Sequence, residues 1–119
     1  KLRATRLSVA GAFHSPFMKP AADQLGEALA ATQINALACT VMSNVTAQPH
    51  ENDPDSIRQR LVEQLTSPVR WSACCEYLVE HNAEAQFHEL APGKTLGGMM
   101  RRISKGTKVE AHNEPEAVS

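Results

Sequence analysis

Three times along this chain a small polar residue is followed directly by proline: Ser15-Pro16, Asp53-Pro54 and Ser67-Pro68. Proline lacks an N–H and holds φ near its helical value, so it suits the first position of a helix. Serine or aspartate before it can cap the free N–H groups of the first turn. Each pair therefore predicts a helix start, and the residues behind each pair carry an apolar stripe at helical spacing. The stripes are Met18, Ala21, Leu25, Ala28 and Leu29, then Ile57, Leu61 and Leu65, then Trp71, Cys74, Cys75, Leu78 and Val79. A fourth, short helix is expected through Leu96, Met99, Met100 and Ile103. Pro20 cannot bond back to residue 16, so the first helix should begin irregularly.

The segments between the helices are short and apolar. Leu2, Ala4, Leu7, Val9 and Ala10 predict a strand over roughly 3–10, and its abrupt start suggests a chain cut from something longer. Residues 38–43 read as a buried parallel strand, 85–90 as a third and 108–111 as a last one. Strands alternating with helices define an α/β fold with a parallel sheet flanked by helices. At 119 residues the chain has room for one domain, taken as 1–111 with a polar tail at 112–119.

Composition then removes several function classes. A net charge of −1 gives no reason to expect nucleic acid or an anionic membrane as partner. No apolar run approaches the ~20 residues of a membrane helix. Cys39, Cys74 and Cys75 are an odd count with an adjacent pair and no Cys-x-x-Cys spacing, which suits small buried side chains in a reducing cytoplasm. A cysteine nucleophile partnered by His14 stays open as a lesser alternative. Asn44-Val45-Thr46 fits the glycosylation pattern, but by chance where no secretory signal precedes it.

Against this background one histidine stands out. His14 leaves the end of an apolar segment and is followed by a proline-started helix, so a rigid scaffold holds it. Imidazole as a group exchanges protons near ~pH 6.5. Other tempting patterns fail. Gly93-Lys94-Thr95 would need glycine at position 88 for a phosphate loop, and that residue is His88. His88-Glu89 would need a histidine at 92 for a zinc-protease helix, and that residue is Pro92. His81 and His88 lie seven apart with no third ligand in view, so no metal site is expected. Arg101, Arg102, Lys105 and Lys108 form a basic cluster that is a solvated face or a surface for an acidic partner.

Four blocks together resemble the C-terminal part of the malonyl-CoA:acyl carrier protein transacylase family, an α/β-hydrolase-like acyltransferase core. They are Gly11-Ala12-Phe13-His14-Ser15-Pro16-Phe17-Met18-Lys19-Pro20-Ala21-Ala22, Val41-Met42-Ser43-Asn44-Val45, Gln64-Leu65-Thr66-Ser67-Pro68-Val69-Arg70-Trp71 and Glu89-Leu90-Ala91-Pro92-Gly93-Lys94-Thr95-Leu96. Ala91 stands where the family more often has glycine. The resemblance implies malonyl transfer from coenzyme A to the phosphopantetheine thiol of acyl carrier protein through a seryl ester. It implies malonyl-CoA as substrate, acyl carrier protein as partner and no permanently bound cofactor.

Residue by residue, the resemblance makes His14 the catalytic base and the backbone carbonyl of Gln64 the group that orients its ring. Phe13 becomes a pocket wall that excludes an α-methyl group, and the other reading of Phe13 is a core aromatic. Asn44 matches a recurrent asparagine and reads as a loop residue. The family's Gly-x-Ser-x-Gly nucleophile elbow, its malonate-binding arginine and its oxyanion-hole glutamine have no counterpart in the sequence. The chain thus looks like an acid–base portion that is inactive alone. Two other readings are a non-catalytic module that docks acyl carrier protein through the basic cluster, and a polyketide synthase acyltransferase domain using another extender unit.

Overall fold

The computed structural model describes residues 11–113. They fall into two compact units divided between Val69 and Arg70. The strand expected over 3–10 lies outside the described residues.

In the first unit a 3-10 turn, Pro16–Met18, leads into helix α1, Lys19–Ala30. The irregular start expected from Pro20 is this turn. Ser15 occupies the N-cap position with extended backbone, but its hydroxyl donates to the Ala12 carbonyl and caps nothing. Helix α2, Pro54–Glu63, begins as its sequence implies, with the Asp53 carboxylate accepting from the Ser56 N–H at 2.8 Å and Asp55 in the first turn. Helices α1 and α2 pack together, burying Ala22 and Ile57. Full burial of an isoleucine side chain stabilises by about 1.5–3 kcal/mol. Gly26 of α1 faces Val62 of α2, whose Cγ2 lies at an ordinary contact distance of 3.7 Å from where a Cβ would stand.

The segment expected as a buried parallel strand over 38–43 differs. Only Met42–Ser43 (β1) is strand, and it pairs antiparallel with β2, Gln48–Pro49, as a hairpin. The reversal comes from the intervening turn, where the Ala47 N–H donates to the Ser43 carbonyl at 2.9 Å and Ala47 takes a φ of 54°. Residues 38–41 are consequently exposed rather than enclosed. Cys39 is among them, so the expectation of three buried cysteines holds only for Cys74 and Cys75.

The second unit is built on helix α3, Trp71–His81, and a strand–helix–strand unit. Helix α3 starts three residues after Pro68 because Ser67 serves the preceding helix. Its hydroxyl donates to the Glu63 carbonyl at 2.8 Å and its N–H to the Gln64 carbonyl at 3.3 Å. Strand β3, Phe87–Glu89, and strand β4, Val109–Ala111, pair in parallel, with α4, Thr95–Ile103, as the crossover between them. This pair is the parallel sheet that the alternating pattern implied. Cys74, Cys75 and Met100 are buried in this unit. His112 and Asn113, expected to open a tail, are tied to the sheet end: the His112 N–H donates to the Glu89 carbonyl at 2.9 Å, and the Asn113 side-chain oxygen accepts from Gly93 N–H at 2.9 Å. No helix among the described residues is long and apolar enough to cross a membrane.

Candidate functional site

His14 sits between the extended entry to the first helix and the end of the second. Its backbone lies in the left-handed region, with φ of 55°. That conformation costs an L-residue about 1–2 kcal/mol, and histidine is among the side chains found there more often than most. The bend turns the imidazole toward α2, where Nδ1 lies 3.1 Å from the Gln64 carbonyl oxygen. A carbonyl only accepts, so Nδ1 carries the hydrogen and Nε2 is left with a free lone pair. Among the described residues Nε2 has no hydrogen-bond partner, and the side chain is exposed. This is the geometry a proton acceptor needs.

Gln64 is the C-cap of α2, with its own N–H bonded to the Arg60 and Val62 carbonyls. Its carbonyl belongs to the last turn, where helix carbonyls lack intrahelical partners. The oxygen accepts from both Ser67 N–H and His14. Thus the side chain of Gln64 plays no part in the contact.

The relation of α1 to α2 is fixed at the opposite end by Arg58, which the sequence patterns did not single out. Its Nε donates to the Leu29 carbonyl at 3.0 Å and its Nη2 to the Thr32 carbonyl at 2.9 Å, closing the last turn of α1. Nη1 binds Asp55 at 2.9 Å. Arginine near a helix C-terminus, on a neighbouring helix, is a signal visible only once the pairing is known. Asn44 also does more than occupy a loop: its Nδ2 donates to the Pro68 carbonyl at 2.9 Å, tying the hairpin to the segment that leaves α2.

Phe13 is 58% exposed, with its ring folded back near Gly11. Phe17 is exposed as well, and the two rings flank His14 in the chain. The cysteines offer no competing nucleophile in the second unit, where burial pushes both the Cys74 and Cys75 thiols up.

The phosphate-loop pattern at Gly93-Lys94-Thr95 is occupied by the protein itself. Glu89, only 3% exposed, accepts from the Leu96 and Gly97 N–H groups, each at 2.9 Å, at the start of α4. These bonds, with a weaker one from Thr95, hold its carboxyl below the usual range against the opposing effect of burial. A phosphate would have to displace that carboxylate. Arg101, Arg102, Lys105 and Lys108 are all exposed, and the two arginines sit in the last turn of α4, where cations are favoured. His81 stacks on Tyr77 and donates Nδ1–H to its carbonyl, so it and His88 do not combine.

With this geometry in view, comparison with known proteins decides the relationship. The malonyl CoA-acyl carrier protein transacylase of Bacillus subtilis (strain 168) is 39% identical over 116 residues, 98% of this chain and 36% of that protein. The chain is a homologue of part of the malonyl-CoA:acyl carrier protein transacylases. An acyl carrier protein S-malonyltransferase from Vibrio cholerae superposes with a TM-score of 0.87 at 40% identity, covering 95% of this chain and 36% of that one. A malonyl-transacylase solved in complex with its type II PKS acyl-carrier protein gives a TM-score of 0.82 at 34% identity, covering 92% of this chain and 35% of that one. The chain therefore spans about a third of the length of the relatives it matches. No protein-family model matches the sequence. The α/β assignment agrees with these neighbours.

Proposed function

We propose that the chain carries the acid–base part of a malonyl-CoA:acyl carrier protein transacylase, with the nucleophilic serine supplied from outside these 119 residues. The observation that carries this reading is the exposed His14 ring, held by Nδ1 on the Gln64 carbonyl at 3.1 Å with Nε2 unengaged. In the first half-reaction Nε2 takes the serine proton as the oxygen attacks the malonyl thioester carbonyl. The C–S bond breaks, and the imidazolium returns its proton to the coenzyme A thiolate. In the second half the pantetheine thiol gives its proton to Nε2 and its sulfur attacks the ester. The C–O bond breaks and the serine oxygen recovers the proton. A backbone carbonyl in place of a carboxylate holds the ring without adding a full negative charge, and α2 presents its negative end to the imidazolium.

Phe13, exposed beside the base, is read as the wall that disfavours an α-methyl group. Exclusion of one methyl group is worth on the order of 1–3 kcal/mol. The acyl acceptor is read as acyl carrier protein and the donor as malonyl-CoA. No step calls for a bound cofactor. The test is His14→Ala in the enzyme that contains this chain: malonyl transfer should fall by roughly 10²–10⁴-fold, the usual worth of a general base. Transfer at a near-normal rate refutes the assignment.

A further inference from the structure

The second unit brings His88 up against a pair of side chains more than 20 residues further along the chain. His88 in β3 stands directly opposite Glu110 in β4 in the parallel register. His112 lies two residues beyond Glu110 and continues the ladder through its N–H, so strand alternation puts it on the same face. The His88 Nδ1 is 2.9 Å from the His112 Nε2 and 3.8 Å from a Glu110 carboxylate oxygen. All three ligand atoms lie within 4.8 Å of one another.

We propose that His88, Glu110 and His112 bind one divalent transition-metal ion of the zinc, nickel or copper class. Metal–ligand bonds of ~2.0–2.2 Å place two ligand atoms of one ion about 3–4 Å apart, depending on the angle. The two ring nitrogens and the His88–Glu110 pair already meet that requirement. The Glu110 side chain is 69% exposed and free to swing its carboxylate toward His112. Without an ion, one ring donates an N–H to the other; on binding, that hydrogen moves by tautomer exchange to the same ring's second nitrogen, and the bared lone pair meets the ion while both rings stay neutral. Two imidazoles with one carboxylate favour a borderline ion over magnesium or calcium, which seek all-oxygen shells. Three protein ligands leave a coordination position open to water or a further donor. The site is separate from the acyl-transfer reading and does not depend on it.

Isothermal titration of the full chain with zinc chloride tests the proposal. One ion should bind per chain, unaffected by excess magnesium. H88A and H112A should each weaken binding by at least about tenfold, because even partners outside the first coordination layer are worth ~10–100-fold. C39S should leave it unchanged. A second measurement uses the unaltered chain: zinc should move the ring ¹⁵N resonances of His88 and His112 and leave those of His14, His50 and His81 in place. No binding at millimolar zinc, binding insensitive to both histidine substitutions, or ring shifts confined to the other three histidines would each overturn it.

Discussion

Two helix ends in this protein are held by a side chain from elsewhere in the sequence, and they are held in opposite ways. At the C-terminal end of α2, an exposed imidazole donates one hydrogen to the Gln64 carbonyl and keeps its second nitrogen free. At the N-terminal end of α4, a buried carboxylate accepts from two N–H groups, one on each oxygen. Both contacts use the partial charges at helix termini. The difference lies in what remains afterwards. Glu89 has spent both oxygens on the fold and is closed to solvent. His14 uses one nitrogen to fix its ring and leaves the other unengaged among the described residues. A perturbed acidity is not by itself the mark of a site, since the buried Glu89 carboxyl is shifted by bonds that hold the fold.

Substitutions at the two ends should separate these roles. The largest effect belongs to the exposed end. Against the roughly 10²–10⁴-fold loss for His14→Ala, Gln64→Ala should change transfer little, because only the backbone oxygen touches the ring. A Gln64→Ala loss as large as that of His14→Ala would break the contrast, and steady-state malonyl transfer measures both. At the buried end, Glu89→Ala should lower the melting temperature of the chain by stranding two helix-start N–H groups.

The acidity of Glu89 sets the direction of a pH effect. Its folded value lies below the ordinary 4.5, so the unfolded chain binds the proton more readily. Its stabilisation is therefore fully present above pH 4.5 and is lost as the pH falls through the lower folded value. Denaturant titrations between neutral pH and pH 3 should show a steeper acid decline for the unaltered chain than for Glu89→Ala. Parallel declines would remove Glu89 from that account.

Smaller effects probe the frame that joins His14 to Gln64. Arg58→Ala removes three hydrogen bonds, two of them to the end of α1, and should destabilise by about 1–3 kcal/mol in urea unfolding. Gly26→Ala should stabilise by about 0.5–1 kcal/mol, since helix propensity improves and the added Cβ meets Val62 at an ordinary 3.7 Å. A loss of stability there would mean that α1 and α2 approach more closely than the packing implies.

How much of this was legible in the sequence depended on how local the determinant is. The start of α2 was readable because Asp53, Pro54 and Ser56 contain the whole cap. The segment 38–43 is ambiguous in sequence because an apolar hexapeptide looks the same whether it pairs in parallel or turns back. Its reversal rests on Ala47 at positive φ, where no glycine announced a turn. The position of His14 was plain from its surroundings, but a backbone carbonyl has no residue signature, so Gln64 came through resemblance alone. Glu89, Arg58 and the His88–Glu110–His112 group each depend on pairings between distant segments, and no spacing along the chain encodes those.

Which ring nitrogen of His14 carries the hydrogen tests the proposed role most directly. Ring ¹⁵N spectra of the labelled chain, recorded where the imidazole is neutral, should show Nδ1 protonated and Nε2 bare. A neutral His14 with its hydrogen on Nε2 would leave nothing to donate to Gln64 and no lone pair for the serine, and would contradict the account.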